Sequence, residues 1–217
     1  MAHKFAETMF TDGVKTVQER YHTRVQNERF SSLGGPNDVL GEREAMFIQA
    51  RDSFYLATVS ETGWPYVQFR GGPRGFLKVI DGKTLGYADF RGNTQYISMG
   101  NLTRNDRVAL FFMDYPRRTR LKLLGHARFE DVTSNPELAS KLEVPTYRAR
   151  VERTVLITLE AFDWNCPQHI TPRYTKEEID ALLFPMTREI EELKARNAEL
   201  QKKCVGIAVN NDETQAT

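Results

Sequence analysis

Between Ser53 and Asp163 the chain alternates short runs of β-branched and aromatic residues with clusters of turn residues, and this rhythm constrains the fold more than any other feature. FYLATVS, the turn ETGWP and YVQFR read as one hairpin; GFLKVID, the turn residues Asp81-Gly82-Lys83 and TLGYADF read as a second. RVALFFMD is strongly apolar, RTRLKLLGHARFED alternates, and RTVLITLEAFD closes the series. NTQYISMGNLTRND is helical in composition and supplies one crossover, and a short helix is expected around 136–143. Strands of this length at hairpin spacing, within about 110 residues, predict a mainly β fold with flanking helices: a small antiparallel barrel of six strands.

The flanks read differently. Residues 1–42 form a polar N-terminal helical arm, in which Val14, Val17 and Tyr21 mark an amphipathic helix over 12–22 and the breaker cluster SSLGGPND ends the segment. A second helix is expected over 41–50, with Met46, Phe47 and Ala50 on one side. The barrel occupies 43–163 and a polar loop 164–174. A helix over 175–204 opens on the capping box Thr175-x-x-Glu178 and is kinked or ended by Pro185. Met186, Ile190, Leu193, Asn197, Leu200 and Cys204 fall at alternating spacings of four and three, a short heptad seam. Residues 205–217 read as a flexible tail.

Composition removes several function classes. Thirty basic against 29 acidic residues leave a formal charge of +1, so any basic site is local rather than global. The two cysteines, Cys166 and Cys204, are too few for a disulfide framework and too isolated for a zinc cluster, and no metal site is expected. The N-terminus lacks a signal-peptide apolar region and no apolar run is long enough to span a bilayer, so the expected setting is cytoplasmic and off the membrane. Paired catalytic carboxylates, a nucleophile elbow, a Walker loop and a Rossmann fingerprint are missing from the sequence.

Four segments could carry chemistry. On YVQFR, strand periodicity puts Val67 and Phe69 on one face and Gln68 and Arg70 on the other, and Gly71 and Gly72 then let a ligand approach the backbone. In ADFRGNTQY, Arg91-Gly92 turns the chain and Asn93-Thr94 opens a helix, a place that favours an anion such as phosphate. Arg120 and Lys122 share one face of RLKLL beside Pro116-Arg117-Arg118. The loop WNCPQHITPRY gathers donors and aromatics, Gln168 and His169 among them. Each has a plainer reading: a solvated strand end, a capped helix, an edge strand, an ordinary loop.

Together, LATVSETGWPYVQFR, TLGYADFRGNTQYISMGNLTRNDRVALFF and RTRLKLLGHARF resemble the pyridoxamine 5′-phosphate oxidase-like family of FMN-binding split barrels over about residues 43–130. RGGPRGFLKV, YADFRGNTQYIS, MDYPRRTRLKLLG and WNCPQHITPRY are similar to a bacterial subfamily described as predicted flavin-nucleotide-binding proteins. The resemblance implies FMN as cofactor and a homodimer with each flavin at the subunit interface. It places Gln68 where the oxidases have a phosphate-binding arginine, with Arg70 following on the same face. Ala88 and Asp89 fall where backbone meets the ring or ribityl chain. Asn93 and Thr94 stand for a phosphate-holding arginine–lysine pair, and Arg120 for a flavin-contacting glutamine. Pro73 replaces a lysine of the oxidases, and their C-terminal arginine–histidine motif has no counterpart.

The expectation is therefore an FMN-dependent oxidoreductase acting on an unknown small molecule, with NAD(P)H a candidate donor and pyridoxamine phosphate not the substrate. Its catalytic residues are not assigned. The alternatives are a flavin carrier or sensor without turnover, and a nucleic-acid-binding barrel in which RGGPRG and PRRTRLK track a phosphate backbone. The near-zero net charge argues against the last, and no nucleic-acid partner is expected.

Overall fold

A computed structural model describes residues 2–164 and 167–214, with side chains described as far as residue 202. Two compact units divide it, residues 1–171 and 172–217.

In the first unit, β1 (Ser53–Val59) turns back as β2 (Pro65–Gly71), and β3 (Lys78–Asp81) as β4 (Thr84–Phe90). Then come α5 (Ile97–Leu102), β5 (Arg107–Asp114), β6 (Thr119–Asp131), α6 (Pro136–Leu142) and β7 (Val151–Trp164). The strands form one antiparallel sheet in the order β2-β1-β5-β6-β7-β4-β3. It has seven strands where six were expected. The seven correspond to the seven runs read from the sequence, one more than the barrel count of six. From GFLKVID comes β3, only four residues long and at a sheet edge, because Phe76 and Leu77 are buried ahead of it instead of pairing within it.

The core forms on the face where the alternate residues of β1, β5 and β6 point. Phe54, Leu56, Leu110, Phe112, Leu121 and Leu123 are all buried there. Phe54 stands at its centre, 5.8 Å from Phe76, 5.5 Å from Tyr87 and 5.4 Å from Phe112 between ring centroids. The opposite face of β1 and β2 is apolar yet open, with Tyr55 40%, Val67 60% and Phe69 54% exposed. The strand YVQFR is thus turned with its polar residues inward.

The N-terminal arm holds more helix than periodicity revealed: α1 (Lys4–Met9), α2 (Asp12–Arg20) and α3 (Arg24–Leu33), the last running through Ser31 and Ser32. Phe5 and Ala6 of α1 are buried, and this short helix packs on β7. Next, α4 (Glu42–Gln49) is fixed by Glu44, whose carboxylate accepts from the Gly41 N–H at 3.0 Å and from Trp164 Nε1 at 2.8 Å.

Among the described residues the second unit holds one helix, α7 (Lys176–Thr214). The capping box forms as expected: Thr175 N–H donates to Glu178 at 2.9 Å, and Glu178 N–H to Thr175 Oγ1 at 3.2 Å. Pro185 lies inside the helix without ending it, and the helix continues through 205–214, where a tail was expected. Residues 215–217 lie outside the described residues. Among the described residues no helix is long and apolar enough to cross a membrane.

Candidate functional site

The inward-turned end of β2, the end of β4, the 91–96 turn, α5 and the start of β7 enclose a cavity of about 360 Å³. Its volume falls at the small end of the range for ligand pockets. Eight of the sequence candidates line it: Gln68, Arg70, Gly71, Ala88, Asp89, Arg91, Asn93 and Thr94.

Sheet pairing explains the convergence. In the β4–β7 register Asp89 stands opposite Arg153, and the Asp89 carboxylate sits 3.5 Å from Arg153 and 3.0 Å from Arg70. Arg153 also meets Glu152 at 2.6 Å and lies 4.9 Å from the Tyr96 ring centroid. Burial pushes the Asp89 carboxyl above its usual range, against the pull of Arg70 and Arg153. The Tyr87 phenol is likewise pushed up, again chiefly by burial.

Gln68 accepts from the Tyr66 hydroxyl and donates to Phe69 O at 3.2 Å. Arg91 is half exposed, with Nε 3.7 Å from Glu152. The helix start differs from expectation. Asn93 and Thr94 do not cap α5; Tyr96 holds the N-cap position and makes no side-chain cap. Asn93 Oδ1 instead accepts from Gln95 N–H at 3.2 Å, closing a turn. Because α5 spans only six residues, its dipole offers an anion little, and the anion-binding character of this turn rests on side chains. Thr94 at φ 60° and Tyr96 at φ 54° are in the left-handed region, a strain of order 1–3 kcal/mol each that clusters at functional sites.

Three polar atoms of the lining are buried without a hydrogen-bond partner: Arg70 Nε, Tyr87 Oη and Ser98 Oγ. A buried unsatisfied donor costs about 1–3 kcal/mol, so such a set marks a place made for a ligand. A phosphate ester, all acceptor oxygens, fits this donor set.

The other candidates lie elsewhere. Arg120 and Lys122 are on the opposite face of the sheet, paired across from Met113 and Phe111. Lys122 contacts Asp163 at 2.9 Å and lies 4.7 Å from the Phe5 ring centroid, while Arg120 Nε is buried and unpartnered. Gln168 and His169 are exposed and away from the cavity lining, and Cys166 lies outside the described residues. Sequence reasoning missed Arg153, Glu152, Ser98 and Tyr96. The one signal available was the Glu152-Arg153 pair at the entry of an otherwise apolar strand.

The family model for pyridoxamine 5′-phosphate oxidase matches residues 40–162, more than half of the chain. The chain belongs to the pyridoxamine 5′-phosphate oxidase family. The match ends at the barrel and leaves out most of the N-terminal arm and all of α7. A search of curated proteins finds no match. Among solved structures the chain is similar to HupZ of Group A Streptococcus, at 17% identity and TM-score 0.44 over 62% of this chain and 100% of that one. It is also similar to a Clostridium acetobutylicum protein related to general stress protein 26, of the pyridoxinephosphate oxidase family, at 15% identity and TM-score 0.42 over 63% and 94% of the two chains. An FMN-binding protein from Syntrophomonas wolfei matches at 12% identity and TM-score 0.43 over 71% and 97%.

Proposed function

We propose that this chain is an FMN-dependent oxidoreductase, working as a homodimer on a small-molecule redox substrate other than pyridoxamine phosphate. The observation that carries the reading is the convergence of three buried, unpartnered polar atoms, on Arg70, Tyr87 and Ser98, on one cavity. Arg70, Ser98, Gln68, Asn93 and Thr94 hold the phosphate, and the backbone at Ala88 and Asp89 lies beside the sugar chain. Asp89 pins both Arg70 and Arg153, so the donors are oriented before the ligand arrives. FMN, when bound, supplies a two-electron redox centre, which is why no nucleophile is required of the protein.

The carboxylates of Asp89 and Glu152 among Arg70, Arg91 and Arg153 moderate the positive charge of the cavity, which supports a compact phosphorylated ligand over a nucleic-acid strand. The open apolar face of Tyr55, Val67 and Phe69 supports pairing with a second copy. Arg120 lies on the same face of the sheet as Tyr55 and Phe111, which supports a role for its guanidinium toward the partner's flavin.

The test is mass spectrometry of the ligand released from purified protein, followed by anaerobic titration with NADH and NADPH. Release of FMN and bleaching of its visible band are expected. Colourless protein that binds riboflavin and FMN equally would overturn the cofactor assignment. FMN that no nicotinamide reduces and no acceptor reoxidises would make the protein a carrier.

A further inference from the structure

The helix α7 carries an apolar stripe that its own unit leaves open. In heptad notation Leu183 and Ile190 occupy a positions, and Ile179, Met186, Leu193 and Leu200 occupy d positions. Each of these six is at least 43% exposed. Pro185 falls at a c position, away from the stripe. The Arg188–Glu192 ion pair, 3.1 Å across f and c positions, also lies on the far side. Leu182 at g and Phe184 at b are exposed too and widen the apolar surface beside Pro185, whereas from Arg188 onward charge and apolar surface are segregated as in a coiled-coil strand.

We propose that α7 pairs with α7 of a second copy of this chain as a parallel, in-register, two-stranded coiled coil. Two sequence features select this partner and direction. Asn197 occupies the next a position, and only a parallel pair sets Asn197 against Asn197 of the partner subunit, so that each amide meets an amide. An antiparallel pair would bury that amide against an apolar d residue, leaving it unsatisfied. The second feature is charge: parallel pairing sets the g residue of one helix against the e residue five positions on in the other. Glu189 then meets the partner's Lys194, twice by symmetry. The remaining g–e pairs, Leu182 with Thr187 and Arg196 with Gln201, bring no like charges together. So short a seam is marginal alone, but tethering by paired barrels places the two strands at an effective concentration of the order of millimolar.

The experiment coexpresses full-length Glu189→Lys and full-length Lys194→Glu with different affinity tags and counts assemblies by native mass spectrometry. Each variant alone sets like charges together at both g–e contacts, whereas the mixed pair restores two attractive contacts. At a few tenths of a kcal/mol per contact, mixed dimers should exceed the random proportion of about one half, with a roughly tenfold or greater rise in the exchange constant. Wild-type chains carrying the same tags should give the random proportion. A random proportion for the charge variants, or no dimer at all, would overturn the coiled coil. Both residues are remote in sequence from the 66–99 and 129–153 segments that line the cavity, so FMN retained in every variant separates this outcome from the flavin reading.

Discussion

Arg70 reaches the cavity because Phe54 opposite it in the β1–β2 register is a core residue, which turns Gln68 and Arg70 inward together. Its Nε has no protein partner, so a bound phosphate gains a charge-assisted bond of about 1.5–3 kcal/mol. Arg70→Ala should weaken FMN roughly tenfold or more and leave riboflavin affinity nearly unchanged, as read by flavin fluorescence quenching. Asp114 offers a test on stability. Burial alone would raise its carboxyl, but the Arg117 N–H at 3.0 Å and Arg51 at 2.9 Å outweigh it and hold the carboxyl below the usual range. A depressed folded-state pKa stabilises the protein above the unfolded carboxylate range, and that stabilisation is lost as pH falls through the folded value. Urea midpoints should therefore fall on acidification in the wild type and fall less steeply in Asp114→Asn, which starts lower at neutral pH by about 1.5–3 kcal/mol. Parallel acid profiles for the two proteins would remove Asp114 from the account. The reach of sequence reasoning differs between such residues. Gln68, Arg70, Asn93 and Thr94 were legible because strand alternation and turn chemistry are local. Arg153 was not, since it stands opposite Asp89 only through a pairing between strands remote in sequence.

At the scale of elements, strands were legible wherever a buried face imposes period two. They blur where burial and pairing separate, as in GFLKVID, which yields only β3. The helices α1 and α3 escaped because neither has a strong apolar period of its own; α1 is held by Phe5 and Ala6 buried on β7 and by Ala6 N–H donating to His3 Nδ1 at 3.3 Å. The long strands β6 and β7 accommodate one another through a register shift at Leu124/Gly125. A Cβ added at Gly125 would stand 2.5 Å from the Thr158 carbonyl oxygen and 3.1 Å from Ile157 Cγ2, and backbone cannot yield as a side-chain tip can. Gly125→Ala should thus cost about 1–3 kcal/mol by forcing the strands apart. The measurement is a denaturation midpoint, and an unchanged midpoint would mean that the bulge absorbs the methyl group.

For the whole molecule, the question is which surface makes the proposed dimer. The barrel offers the contiguous face of Tyr55, Val67 and Phe69, with Phe111 beside Tyr55 in the β1–β5 register. The helix offers a stripe of fewer than four heptads interrupted by Asn197, and specific interfaces need upwards of about 1,000 Å² of buried surface. A rigid sheet face reaches that more readily than a narrow seam whose strands must first be ordered. The barrel should therefore make the dimer and α7 reinforce it. Ile170 is buried in the first unit and Thr175 only opens the helix, so a chain ending after Thr175 keeps every core residue of the barrel. Such a chain should fold, remain dimeric by light scattering and retain FMN, with faster subunit exchange than the full chain. A folded monomer would reverse the order, making α7 the primary dimerisation element and the open sheet face a secondary contact.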